Sequence, residues 1–303
     1  MTRRRKSPLV SVIVATYNRA ETLAYTLSSI RSQTMRDFEV LVVGDACTDQ
    51  SARIVRGMHD SRFRWFNLRE NSGGQWGPNN EGLRRARGTY VAYLGHDDLW
   101  FPWHLHDLIL RAESTRSEFV FGLGILIGSD GSVEPTGYGF EDDLVLREIP
   151  PSSWLHRRTL VDRIGGWRKH RDLTMGTDAD FILRARKEGC VMELSPRLSL
   201  LKFPSHLWKT YKMEDNFPQE MYWKAMQRSQ TEVYEGLIER LGFEISRRAV
   251  SQSDVIHALR RKLAVGMQRF YAFYGRERWP VGPYLRFRFR HHRKRISKDR
   301  GLA

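Results

Sequence analysis

The chain has 303 residues, 41% of them hydrophobic and 28% charged, which excludes global disorder and describes one or two globular domains with a sizeable core. Its formal charge of +15 points to an anionic partner: nucleic acid, a phospholipid surface, or a phosphorylated or nucleotide-linked substrate. Cys47 and Cys190 are the only cysteines and stand far apart, so neither a disulfide framework nor a zinc site is indicated, and a reducing compartment is expected.

The N-terminus, MTRRRKSPLVSVIVATYNR, imitates a secretory signal because basic residues precede an apolar run. The run reads instead as a β-branched strand, Leu9 to Ala15, passing into a helix in which Leu23, Leu27 and Ile30 recur at helical spacing. This strand–helix unit recurs. FEVLVVG (Phe38 to Gly44) precedes a helix in TDQSARIVRGM, RFRWFNL precedes GPNNEGLRRARG with Gly88 placed to stop it, and TYVAYLG precedes PWHLHDLILRAE. Four alternations predict a mostly parallel sheet flanked by helices. Further on, FVFGLGILIGSDGSVEPTGYG reads as a hairpin turning at Asp130-Gly131, and TLVDRIGGW and TDADFILRARKEG read as helices. From Tyr211 the pattern is long helices ending in a basic tail, giving a division into 1–210 and 211–303. No segment reaches the roughly 18 apolar residues of a membrane span.

In such sheets ligands bind where loops leave the carboxyl ends of strands, and the polar clusters sit there: Thr16-Tyr17-Asn18, Asp45, and His96-Asp97-Asp98. Asp97-Asp98 could be an exposed helix-start pair. The alternative is a cation site, because carboxylates following a buried run need a compensating charge, and oxygen ligands point to Mg²⁺ or Mn²⁺. Asp45 at the tip of the second strand suggests ribose binding, but ATYNRAET after strand one carries no GxGxxG, which disfavours a dinucleotide dehydrogenase. Tyr17 offers a face on which a base can stack, or is a packed core aromatic.

VSVIVATYNRAETLAYTLSSIRSQT, FEVLVVGDACTD, NSGGQWGPNNEGLRRARGTYVAYLGHDDLW and GGW...GTDADFILRARKEG, in this order over residues 8–205, resemble the family 2 glycosyltransferases of GT-A fold. The resemblance implies inverting transfer of a sugar from a nucleotide-diphosphate-sugar, UDP-linked in the commonest case, to an acceptor hydroxyl in polysaccharide or glycolipid assembly. It also implies a divalent cation, Mg²⁺ or Mn²⁺. By position, Thr16, Tyr17 and Asn18 match the nucleobase loop, Asp45 the base- or ribose-binding acid, and Asn79 and Asn80 lie in the segment that meets the phosphates, whose usual arginine is absent. Asp97 matches the metal ligand of the DXD motif, and Asp98 continues it, with His96 beside them. Gly95 stands where the motif has its first acid, and an inactive glycosyltransferase-like protein is the alternative this departure keeps open.

Asp178, after Thr177, matches the general base that takes the acceptor's proton. Asp180 is a second acceptor contact or structural, and His206 matches a residue near the diphosphate. Sugars pack on aromatic faces, so Trp76, Trp100, Trp103 and Trp154 are platform candidates, with Trp100 and Trp103 beside the acidic turn preferred. Between Arg286 and Arg300 there are eight Arg or Lys residues and one acid, with Phe287 and Phe289 interleaved. This tail is expected to be a solvated terminus or a contact with anionic membrane lipid, which would bring a cytoplasmic enzyme to the inner face of the membrane and to a lipid-linked acceptor. A nucleic-acid-binding protein is the rival reading of the same charge.

Overall fold

The computed structural model describes residues 7–136, 149–208 and 217–250, with side chains at 206 and 247–250 outside that set. The basic tail at 286–300 and the position 210/211 of the expected division lie outside the described residues.

Three strand–helix units open the chain: β1 (Val10–Thr16), α1 (Ala20–Arg31), β2 (Phe38–Gly44), α2 (Ser51–Gly57), β3 (Phe63–Asn67) and α3 (Trp76–Arg85), followed by β4 (Tyr90–Tyr93). These strands are parallel, in the order β3-β2-β1-β4. Alternate residues feed opposite faces, as the pleat requires. Val10, Val12, Val14, Val40 and Val42 pack with Leu23, Leu27 and Ile30 of α1, whereas Ile13, Leu41, Val91 and Tyr93 join a second core on the other side. Coverage on both faces is why β1, β2 and β4 read as nearly continuous apolar runs.

The rest of the sheet is mixed, adding antiparallel pairs to the parallel half that the strand–helix repeats predict. Next come β5 (Leu99–Trp100), α4 (His104–Thr115), β6 (Phe119–Ile127), β7 (Val133–Thr136), β8 (Trp154–Arg157), α5 (Leu160–Ile164), α6 (Thr177–Lys187) and β9 (Met192–Lys202). β8 runs antiparallel to β4 and β6, β6 pairs β9 in parallel, and β5 closes the far edge antiparallel to β9. The β6–β7 hairpin turns as expected: Gly131 takes a φ of 80°, and the Ser132 N–H donates to the Asp130 side chain.

After α7 (Ser205–Trp208), the helices α8 (Pro218–Arg228) and α9 (Gln230–Val250) complete the described chain. Phe217, Tyr222, Met226 and Leu237 from this part are buried; the last three share a third core with Phe101, Leu201 and Phe203. A fully buried side chain of this size contributes about 1.5–3 kcal/mol relative to exposure. Among the described residues no helix is long and apolar enough to cross a membrane.

Candidate active site

The chain runs outward from β1 through β2 to β3 and returns to the other side of β1 with β4. Such a reversal opens a crevice at the carboxyl ends of the central strands. Thr16 pairs with Gly44 at the ends of β1 and β2, and Ile13 pairs with Tyr93 in β4. Tyr17, Asp45 and the turn 95–98 therefore leave the sheet along one rim.

On the β1–β2 side, Asp45 is buried, with its N–H donating to the Thr16 carbonyl at 2.8 Å and its Oδ1 accepting from the Ser72 N–H at 2.7 Å. Asn18 adopts a left-handed φ of 46°, tolerated best by Asn after Gly, and its side chain accepts from the Thr48 N–H at 2.8 Å. Asn67 brackets Cys47 through both backbone groups, at 2.9 and 3.0 Å. Thr16 Oγ1 is buried without a hydrogen-bond partner among the described residues. The nucleobase candidates thus sit on a rigid floor, with Tyr17 half-buried above it.

The turn 95–98 is held from several sides. Gly95 N–H donates to Ser152 Oγ at 3.0 Å, His96 Nδ1 meets the Ala15 carbonyl at 3.2 Å, and the Asp98 carbonyl accepts from Thr26 at 2.9 Å. A carbonyl only accepts, so His96 carries its proton on Nδ1. Asp98 is fully buried, and its oxygens accept from Lys202 Nζ at 2.9 and 3.2 Å, from the Phe203 N–H at 3.1 Å and from the Ser152 hydroxyl. Burial pushes its carboxyl up from the ordinary range, with Lys202 pulling the other way. Burial likewise pulls the Lys202 ammonium down, but Asp98, Asp97 and Asp178 together hold it above its usual value. The expectation that Asp98 binds metal is therefore corrected: its lone pairs serve an internal ion pair.

Across the crevice, Asp178 lies in the first turn of α6, where helix N–H groups favour an anion. Its Oδ1 accepts from the Ala179 N–H at 3.0 Å, and burial pushes its carboxyl up, partly offset by backbone N–H groups, Lys202 and His170. Gln75, just before α3, donates to Thr177 Oγ1 at 3.2 Å, so the loop that Asp45 holds through Ser72 reaches the residue next to the base candidate. His170 closes over the same loop, its Nε2 at 3.2 Å from the Gly73 carbonyl.

Three further expectations, for Trp100, Trp103 and Asn80, are corrected. Trp100 is fully buried, stacked on His104 at 4.2 Å, and donates to the Ser152 carbonyl, so it offers no face to an acceptor. Trp103 packs on Phe101 at 4.8 Å, under the Arg197 guanidinium at 3.8 Å, and donates to the Leu198 carbonyl, committing it to the third core. Asp180 takes the structural one of its two readings: it pairs with Arg184 at 2.8 Å, and Arg184 in turn holds the carbonyls of residues 164–166. Asn80 clasps the Trp167 backbone, donating and accepting at 2.8 Å, so it braces α3 against the GGW loop instead of meeting phosphate.

Asn79 is buried within α3. Trp154 is core, whereas Trp76 is half-buried and lies under Lys169. The His206 side chain lies outside the described residues.

Sequence reasoning missed Lys202, Ser152, His170 and Gln219. Lys202 alone left a signal: LSLLK is an apolar strand ending in a cation, the complement of YLGHDD.

This sheet, with its crevice at the β1–β4 reversal, is the GT-A-type architecture that the motifs implied. Residues 11–169 match the family model described as glycosyl transferase family 2, more than half of the chain, and the chain belongs to that family. Among curated relatives, the poly(ribitol-phosphate) beta-N-acetylglucosaminyltransferase TarP of Staphylococcus aureus is 34% identical over 37% of this chain and 36% of its own length. A GalNAc(5)-diNAcBac-PP-undecaprenol beta-1,3-glucosyltransferase of Campylobacter jejuni is 33% identical over 45% of each chain. The match therefore spans less than half of either relative. The structure of S. aureus TarS 1-349 in complex with UDP-GlcNAc superposes with a TM-score of 0.55 at 23% identity, covering 69% of this chain and 60% of that one. The mannosyltransferase PcManGT of Pyrobaculum calidifontis, in complex with GDP-Man and Mn2+, gives 0.52 at 18% identity over 89% and 84%.

Proposed function

We propose that the chain is an inverting glycosyltransferase that moves a sugar from a nucleotide-diphosphate-sugar, a UDP-sugar first among them, to an acceptor hydroxyl on a lipid-linked or growing glycan. The observation that carries this is the shared rim: Asp45 reaches Thr177 through Ser72 and Gln75, while Lys202 feels Asp97, Asp98 and Asp178 together. In this reading a base pocket, a charge-handling turn and the half-buried carboxyl of Asp178 border one crevice. The name of the Campylobacter jejuni relative supplies the acceptor class, since it describes a transferase for an undecaprenol-diphosphate-linked sugar.

In this reading Tyr17 stacks on the base, and Thr16 and Asp45 accept or donate to the base or ribose. Asp178 takes the proton of the acceptor hydroxyl as that oxygen attacks the anomeric carbon from the side opposite the diphosphate, and the single displacement inverts the centre. A carboxyl raised by burial suits a base working near neutral pH. Among the described residues no group of three or more His, Cys, Asp or Glu side chains forms a metal cluster. A hard divalent ion needs only one or two protein carboxylates when phosphates and waters complete its shell, so the residues fit such an ion through Asp97 and not through Asp98. When bound there, the ion would stabilise charge on the leaving diphosphate.

Residues 1–210 are read as the catalytic part and 211–303 as an extension whose first helix supports it. The basic tail is read as a contact with anionic lipid, keeping the enzyme at the membrane's inner face. Flotation with anionic liposomes, full chain against one ending at Trp279, tests this, and equal partition would remove it. The function itself is tested by thermal shift with nucleoside diphosphates and nucleotide-sugars, with and without Mn²⁺. One nucleotide raising Tm is the expected result, and no shift with any of them would overturn the reading.

A further inference from the structure

Lys202 is the last residue of β9, and the β5–β9 register pairs Leu99 with Leu201 and Trp100 with Leu200. Continuing that register by one step sets Asp98 opposite Lys202, so strand pairing itself delivers the ammonium to the acidic turn. The Asp98 oxygens take it at 2.9 and 3.2 Å, yet the lysine side chain keeps 26% of its surface exposed while Asp98 keeps none. An ammonium has three donors, and the two oxygens of Asp98 take two of them, which leaves one for a further acceptor.

Gly95 explains why this arrangement fits. A Cβ there would lie 2.8 Å from Asp98 Oδ2 and 3.1 Å from Asp97 Oδ1. The space a first acid would occupy is thus filled by the two carboxylates that remain, with Asp98 turned toward Lys202. An acidic side chain at 95 would drive Asp98 off its cation. With Gly95 in place of an acid, the turn carries two carboxylates and one fixed ammonium.

A nucleoside diphosphate brings further negative charge to a turn that already holds two acids, and cations must offset it for binding to be favourable. We propose that Lys202, fixed by Asp98, is a donor-binding residue whose ammonium meets the diphosphate and supplies part of the neutralisation that a divalent ion would otherwise provide. This rests on the nucleotide-sugar reading above. Lysine serves such a role as a compact point charge. The consequence is diphosphate binding that persists when metal is removed.

The test is calorimetric titration of UDP and of GDP, in EDTA and in Mn²⁺, into the full chain and into Lys202→Arg, Lys202→Met and the double variant Lys202→Met with Asp98→Asn. The double variant removes both charges, so the buried carboxylate is not stranded and folding, checked by Tm, is preserved. Wild type is expected to bind one diphosphate in EDTA, and Lys202→Arg to keep most of that affinity. The double variant is expected to lose about 10-fold or more in EDTA, the scale of one charge-assisted hydrogen bond, and less in Mn²⁺. Wild-type binding abolished by EDTA, or a folded double variant that binds as wild type in EDTA, would overturn the proposal and leave the glycosyltransferase reading standing. Failure of wild type to bind either diphosphate in either condition would overturn both.

Discussion

The side-chain amide of Gln219 donates to the backbone carbonyl of Asp97 at 2.9 Å, from a position 122 residues further along the chain. Gln219 is buried in the first turn of α8, behind Pro218, which pre-sets the helix start. The turn bearing the metal-ligand candidate is thus braced from outside the segment that carries the recognisable motifs. Gln219→Ala is expected to cost about 1–3 kcal/mol, because it removes a buried hydrogen bond to the Asp97 carbonyl. It should also weaken nucleotide binding several-fold through a looser turn. Denaturant melts and calorimetry check both, and an unchanged variant would show that the contact carries no weight.

Replacing the carboxyl of Asp178 by an amide tests the proton-transfer step alone. Asp178→Asn keeps an oxygen to accept from the Ala179 N–H and keeps the helix start. Donor affinity is expected to stay within about twofold, while transfer falls by about 100-fold or more. Equal turnover in variant and wild type would remove Asp178 from the role of base.

How much of this was legible from sequence follows the physics of each element. β1, β2 and β4 were visible because strands buried on both faces are written as largely apolar runs, β3 (FRWFN) because it falls in the same repeat, and helices between them show a 3.6-residue period. β5, β8 and β9 were not, because β5 and β8 are short strands outside the strand–helix repeat that made β4 readable, and β9 (MELSPRLSLLK) is interrupted by polar residues. At the site, the chemical type at each rim position was legible, but its commitment was not. Asp98 reads as a ligand until β9 places Lys202 opposite it, and Trp100 reads as a platform until β5 carries it into the core. Pairings between residues about a hundred positions apart are decided by register, which no local pattern in the chain records.

Trp100 accordingly makes a prediction about stability in place of recognition. Trp100→Phe removes the hydrogen bond to Ser152 and part of the stack on His104. A loss of about 1–3 kcal/mol is expected, from the orphaned carbonyl and the smaller ring. The acceptor's KM should not move. A raised acceptor KM with unchanged Tm would return this residue to the binding surface.

Two buried histidines set the acid side of the stability curve. Burial pushes His104 down to about 3, and burial pushes His156 down to about 4 with its contact to the Arg157 carbonyl opposing. His104 sits under Trp100, and His156 meets the Tyr93 hydroxyl at 3.0 Å between Phe119 and Phe181. Unfolded, each titrates near 6.5. Below that pH the unfolded chain binds protons that the folded chain refuses, and stability rises with pH wherever this holds. Their contribution is therefore complete above about pH 6.5 and is lost as pH falls toward about 4 for His156 and about 3 for His104. The slope is about 1.4 kcal/mol per pH unit for each. Asp98 and Asp178, whose carboxyls are raised, act in the opposite sense, so the informative quantity is the difference between wild type and variant. His156→Asn leaves a polar group without a titrating proton, and whatever it costs in packing is independent of pH. Chemical melts from pH 7 to pH 4 should show its stability falling less steeply than wild type by about that slope, and parallel curves would mean that His156 is already charged in the fold.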